Sequence, residues 1–148
     1  MTILVTDRGF APDDWTQGYV PLAALSDSPS DDYELAVDLR CSALSAGEWR
    51  RLCRVLPRVS LIRLGLRHFG DVDALELARA IRRHGFAGRL RAHGAVLARF
   101  YTLVRQAGFS EIELDQRQAQ RQPSEHWRLA DGWVPDHSQR GPHSAASS

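Results

Sequence analysis

The sequence predicts an α/β fold of repeated strand–helix units around a mostly parallel sheet. Three observations carry that prediction. Short apolar runs bounded by turn residues start near residues 34, 60, 88 and 111, about 25 residues apart, which suits a strand, a helix and a right-handed return. Between them, apolar residues recur every three or four positions, the mark of one buried helical face. Two of these stretches end in Gly-Phe, at Gly85-Phe86 and Gly108-Phe109. Glycine takes the left-handed turn after a helix, and the next apolar residue folds back on the last turn. Such a sheet is either a half-barrel or a flavodoxin-like layer.

Ile3, Leu4 and Val5 form a short strand, and Gly9 to Gly18 reads as a loop holding Pro12 and Asp13-Asp14-Trp15. Pro21 to Leu25 suits a helical turn, and Ser26 to Asp32 (SDSPSDD) is a polar loop. The regular part begins at Glu34, where Leu35, Val37 and Leu39 alternate as in a strand. Ser45 and Glu48 have the spacing of a capping box. Trp49, Leu52, Cys53 and Leu56 then share one helical face until Pro57 ends it. Leu61 to Leu66 (LIRLGL) is nearly continuous in apolar character, as in a strand covered on both faces.

Asp73 and Glu76 repeat the capping spacing, with Ala74, Leu77, Ala78 and Ile81 as the stripe and His84-Gly85 as the end. Arg89 to His93 is the next strand, Ala95 to Ala107 the next helix, and Glu111 to Leu114 the fourth strand. Gln116 to Gln122 (QRQAQRQ) is polar and of low complexity. Glu125 to Val134 regains two tryptophans, as a hairpin or a hook onto the body, and Pro135 to Ser148 reads as disordered. The expected organisation is therefore an N-terminal strand with loops (1–33), an α/β core (34–115) and a polar, partly disordered tail (116–148).

With 148 residues, 43% hydrophobic and 25% charged, the chain has the length and composition of one globular domain. A net charge of +1 argues against bulk binding to nucleic acid or an anionic membrane. Every basic residue is arginine, which keeps its charge and forks onto carboxylates and phosphates. Cys41 and Cys53 sit in no CxxC, and two thiols make no disulfide framework. Cys53 is expected in the core. The N-terminus lacks the pattern of a signal peptide, and no apolar run approaches the ~20 residues of a membrane span, so a cytoplasmic protein without a cofactor is expected.

In open parallel sheets ligands bind beyond the carboxyl ends of the strands, where helix N-termini favour anions. That face carries Arg40 and Cys41, Arg67 and His68, Asp71 and Asp73, His93 and Gly94, and Asp115. The candidates for holding an anion or other ligand are Arg40, Arg67, His68, Asp71, Arg91 and His93. The competing expectation is that the arginines pair with Asp71, Asp73 and Asp115. A metal site from His68, Asp71, Asp73 and His93 matches no ligand spacing, and aspartates in a turn before a helix are typically caps. A nucleophilic Cys41 would need a base that the sequence does not place. No strand runs into a Gly-rich turn that opens a helix, so no phosphate loop is expected.

The stretch from Phe69 to Leu114 resembles domain-of-unknown-function family 934. Phe69, Asp71, Ala78, Arg79 and Arg82 match its first motif. Gly85, Phe86, Gly88, Leu90, Arg91, Ala92, Gly94, Val96 and Leu97 match its second, and Arg105, Gly108, Phe109 and Leu114 its third. Asp13-Asp14-Trp15 is similar to an N-terminal D-x-W-like element. Three elements depart: the family's G-R-G is Val72-Asp73-Ala74, its Asp-Gln pair is Arg99-Phe100, and its Cys before the second Gly-Phe is Ala107.

The family's genes lie beside sulfite or nitrite reductase genes. The resemblance therefore implies an accessory protein of sulfate assimilation, binding sulfite reductase, another sulfur-assimilation protein or a sulfur-pathway anion, on an associational rather than chemical ground. The rival readings are a small half-barrel enzyme for a phosphorylated or carboxylated metabolite and a protein-interaction module using the tryptophan-bearing C-terminal segment. An uncovered sheet edge would be resolved by a homodimer.

Overall fold

The computed structural model describes residues 2–25, 34–39 and 44–135. The expectations for Arg40, Cys41, the SDSPSDD loop and the last 13 residues, 136–148, lie outside the described residues.

Among the described residues seven strands form one sheet: β1 (Ile3–Thr6), β2 (Gly9–Pro12), β3 (Val20–Pro21), β4 (Leu35–Leu39), β5 (Val59–Leu66), β6 (Arg89–Gly94) and β7 (Glu111–Leu114). Their order is β2-β1-β7-β6-β5-β4-β3. Strands β3 to β7 are parallel and succeed one another in chain order. The reversal of order that defines a flavodoxin-like layer does not occur, and the connectivity is that of a half-barrel. Among the described residues four α-helices accompany the sheet: α1 (Ala46–Val55), α2 (Val72–Arg83), α3 (Tyr101–Ala107) and α4 (Gln116–Arg121).

Successive parallel strands joined by right-handed crossovers put their helices on one face of the sheet. Burial agrees: Val37, Ile62, Leu64, Leu90, Ala92, Ile112 and Leu114 join one core with Leu52, Leu75, Ala78, Ile81 and Val104 of the helices. The alternate residues of the same strands, among them Asp38, Arg63, Arg91, Glu111 and Glu113, face the other way.

Ser45 caps α1 in a reciprocal capping box with Glu48, as its spacing predicts. For α2 the cap is Asp71 rather than Asp73, because the Asp71 carboxylate accepts from Ala74 N. The two Gly-Phe turns share a clamp. Arg82 Nη1 donates to Phe86 O at 3.0 Å and Arg105 Nη1 to Phe109 O at 2.6 Å, in each case four residues on. Arg82 also donates to Gly108 O and Gly88 O, so one guanidinium ties both turns together. Burial, with Arg105 nearby, brings its pKa down to about 10.

The N-terminal region is more regular than its loop-like sequence suggests. β1 and β2 form a hairpin, and β1 adds antiparallel to β7. The turn residue Asp7 accepts from the Tyr101 hydroxyl at 2.5 Å and from Arg105 Nε at 3.0 Å, fastening the hairpin to α3. At the other end of the chain the hook is found. Trp127 is buried edge-on against Tyr101, centroids 6.0 Å apart, and donates to Gln122 O at 2.8 Å.

Candidate functional site

Residues 13–19 leave β2 at one edge of the sheet and reach β3 at the other. They cross the face opposite the helices, and that face is a charge lattice. Arg63 and Arg91 stand side by side in register on β5 and β6, a juxtaposition that would repel on its own. Glu113 from β7 separates them, accepting from Arg63 Nη1 at 3.3 Å and Arg91 Nη1 at 3.0 Å. Asp38 holds the far side of Arg63 at 3.1 Å, and Glu111 holds Arg91 Nε at 2.7 Å and Arg89 Nε at 2.8 Å.

The crossing strap completes the lattice. Asp13 reaches Arg91 at 3.2 Å and Asp14 reaches Arg89 at 2.7 Å. The Tyr19 hydroxyl accepts from Arg91 Nη1 at 2.8 Å, while its ring lies 4.0 Å under the Arg63 guanidinium. Burial pushes the Tyr19 phenol up to about 12. Burial opposes the Arg91 charge, but Glu111, Tyr19 and Glu113 together outweigh it, so this fully buried guanidinium is held more firmly protonated than usual.

The sequence-derived candidates fall into two groups. Arg91 and His93 share the open sheet face, two residues apart on β6. Arg91 Nη2 and His93 Nε2 are buried without a hydrogen-bond partner among the described residues. Gly65 stands opposite His93 in register, and a Cβ there would lie 3.4 Å from Nε2. Burial, then the charge of Arg63, holds the His93 imidazole below its ordinary range.

Arg67, His68 and Asp71 lie on the loop from β5 to α2, at the carboxyl rim. Arg67 donates to Asp71 at 3.1 Å and to Asp73 at 2.9 Å, the pairing that competed with an anion site in the sequence. The Arg67 guanidinium and backbone hold the buried Asp71 carboxyl well below the usual carboxylate range. His68 is exposed beside them. The described residues contain no group of three or more His, Cys, Asp or Glu placed to hold a metal ion. Cys53 is a half-buried free thiol rather than a core residue, and burial raises its pKa, which disfavours the thiolate.

Two features were not singled out from the sequence. One is the strap: its charges lie 72 to 78 residues from their partners, a separation that no local pattern signals. The other is the exposure of Phe69 and Val72, 55% and 64%, on either side of the Asp71 cap. The only local signal was that the α2 stripe already has its apolar residues without them. None of the described helices is long and apolar enough to cross a membrane.

The profile of a family described as bacterial proteins of unknown function, DUF934, matches residues 43–141 of the 148. No curated protein and no solved structure matches the chain. The family match spans α1 to the C-terminal hook, and on it the chain belongs to the DUF934 family.

Proposed function

We propose that this chain is a non-catalytic accessory protein of sulfite reduction that docks on a reductase component through the carboxyl rim of its sheet. The observation that carries the reading is the knuckle between β5 and α2. Phe69, on the loop, and Val72, the first residue of α2, present two large apolar side chains to solvent where Arg67 pairs with Asp71 and Asp73. A rigid, exposed apolar pair rimmed by charge has the anatomy of a protein contact.

The charge lattice supports binding over catalysis. Its arginines are engaged by carboxylates. The tryptophan-bearing segment is a weaker docking candidate, because Trp127 faces inward. The implied link to sulfite reduction comes from the family resemblance and supplies the partner to test. The chain as a docking protein would act in the cytoplasm.

The experiment is biolayer interferometry of the full chain against each purified sulfite reductase component. Saturable binding is expected to one of them, weakened about tenfold or more by Phe69→Ser or Val72→Ser, as for central apolar contacts. Absence of binding to every component, or binding that ignores both substitutions, would overturn the proposal.

A further inference from the structure

A second feature of the carboxyl rim lies away from the knuckle. The connection from β6 to α3 and the segment just after α4 flank an open cleft of about 580 Å³, lined by Leu97, Ala98, Arg99, Gln122 and His126. That volume lies within the range of small-molecule sites. Gln122 is a brace and not a free group. Its Oε1 accepts from Ala98 N at 2.7 Å and its Nε2 donates to Val96 O at 3.2 Å. The wall it holds in place is apolar, made of half-buried Leu97 and buried Ala98.

The other two lining groups are cation-capable and exposed. Elsewhere on the rim and the open face, Arg67, Arg63, Arg89 and Arg91 are each engaged by at least one carboxylate. Arg99 has no carboxylate partner among the described residues, and its guanidinium lies 5.0 Å from the Phe100 ring centroid. No carboxylate lines this cleft. A fixed apolar wall beside an unpaired guanidinium and an imidazole calls for a ligand with both characters. The two oxygens of a carboxylate match the guanidinium fork, and a short hydrocarbon stem would cover Leu97 and Ala98.

We infer that this cleft binds a small aliphatic carboxylate, with Arg99 and His126 on the charged end and Leu97 and Ala98 against the stem. The inference does not depend on the docking reading, and neither Phe69 nor Val72 takes part in it.

The test titrates hexanoate into the full chain and follows the Leu97 and Ala98 methyl signals by NMR. Hexanol serves as the stem without the charge, and sulfate as the charge without the stem. Hexanoate is expected to saturate in the millimolar range and to shift both signals. Arg99→Gln is expected to weaken it about tenfold, the loss of one charge-assisted contact, and His126→Gln to weaken it less. Both side chains are exposed, so an unchanged amide spectrum elsewhere certifies the fold of each variant. Equal binding of hexanol, equal binding of sulfate, an unaffected Arg99→Gln variant or the absence of saturation would each overturn the assignment.

Discussion

Arg91 Nη1 donates to Glu113 Oε1 at 3.0 Å, although Arg91 is fully buried and crosses to a neighbouring strand to do so. The pair is the centre of the lattice. Arg91 is also the common partner of Asp13, Tyr19 and Glu111. The strap therefore lies across the sheet because one buried cation on β6 gathers groups from two other parts of the chain, the strap and β7.

Removing that cation leaves several carboxylates facing one another in a partly buried space. Arg91→Ala is expected to cost about 3–5 kcal/mol, the range for breaking a buried pair from one side. Asp14→Asn, on an exposed partner of Arg89, should cost no more than about 1 kcal/mol. Urea denaturation of both variants checks the contrast. Equal costs would mean that the lattice is uniform rather than centred on Arg91.

The two Gly-Phe turns make a second, paired prediction. Gly85 and Gly108 both have positive φ, 101° and 115°. A Cβ at Gly85 meets nothing within 4 Å, whereas at Gly108 it would stand 2.6 Å from Arg82 Cγ. Gly85→Ala therefore carries only the backbone cost of about 1–2 kcal/mol. Gly108→Ala adds a collision with the clamp, expected to cost about 1–3 kcal/mol more. Thermal unfolding of both variants reads the difference directly.

What the sequence made legible follows from where the physics is local. The strands β4 to β7 and helices α1 and α2 announce themselves through period, capping residues and Gly-Phe ends, all within a few positions. Gly9-Phe10-Ala11-Pro12 falls in a stretch that reads as a loop from its sequence, yet it is a short edge strand made by pairing with β1. α4 lacks an apolar stripe, and QRQAQRQ reads only as polar and of low complexity. Its start is fixed instead by a reciprocal capping box between Asp115 and Gln118. At the rim, the pairing of Arg67 with Asp71 was within reach because four residues separate them. The strap was not, since Asp13 and Arg91 meet only when the whole sheet has formed.

Asp71 sets an acid limb to the stability curve. Its folded pKa is depressed by Arg67, so its contribution is fully present above the unfolded carboxylate value of about 3.9. It is lost as pH falls from there through the folded value. The wild-type chain is expected to lose stability on acidification below about pH 4 more steeply than Asp71→Asn, which keeps a cap but cannot take up a proton. Urea midpoints measured in steps from neutral to acid pH test this, and parallel curves for the two proteins would remove Asp71 from the acid limb.

The C-terminal hook yields the last prediction. Trp127 is its anchor: the ring is buried edge-on against Tyr101, and the indole N–H donates to Gln122 O. Tyr101 in turn bonds Asp7, so the hook and the N-terminal hairpin meet on one residue of α3. Truncating Trp127 to Ala should cost near the lower end of the about 3–5 kcal/mol seen for buried tryptophans, because the short segment around it can lift away rather than leave a sealed cavity. Hydrogen exchange should then speed at Ala130, whose N–H donates to Thr102 Oγ1, and at the Asp7 turn through Tyr101, while the amides of β5 and β6 keep their protection. Uniform loss of protection across the sheet would instead make the hook part of the folding core.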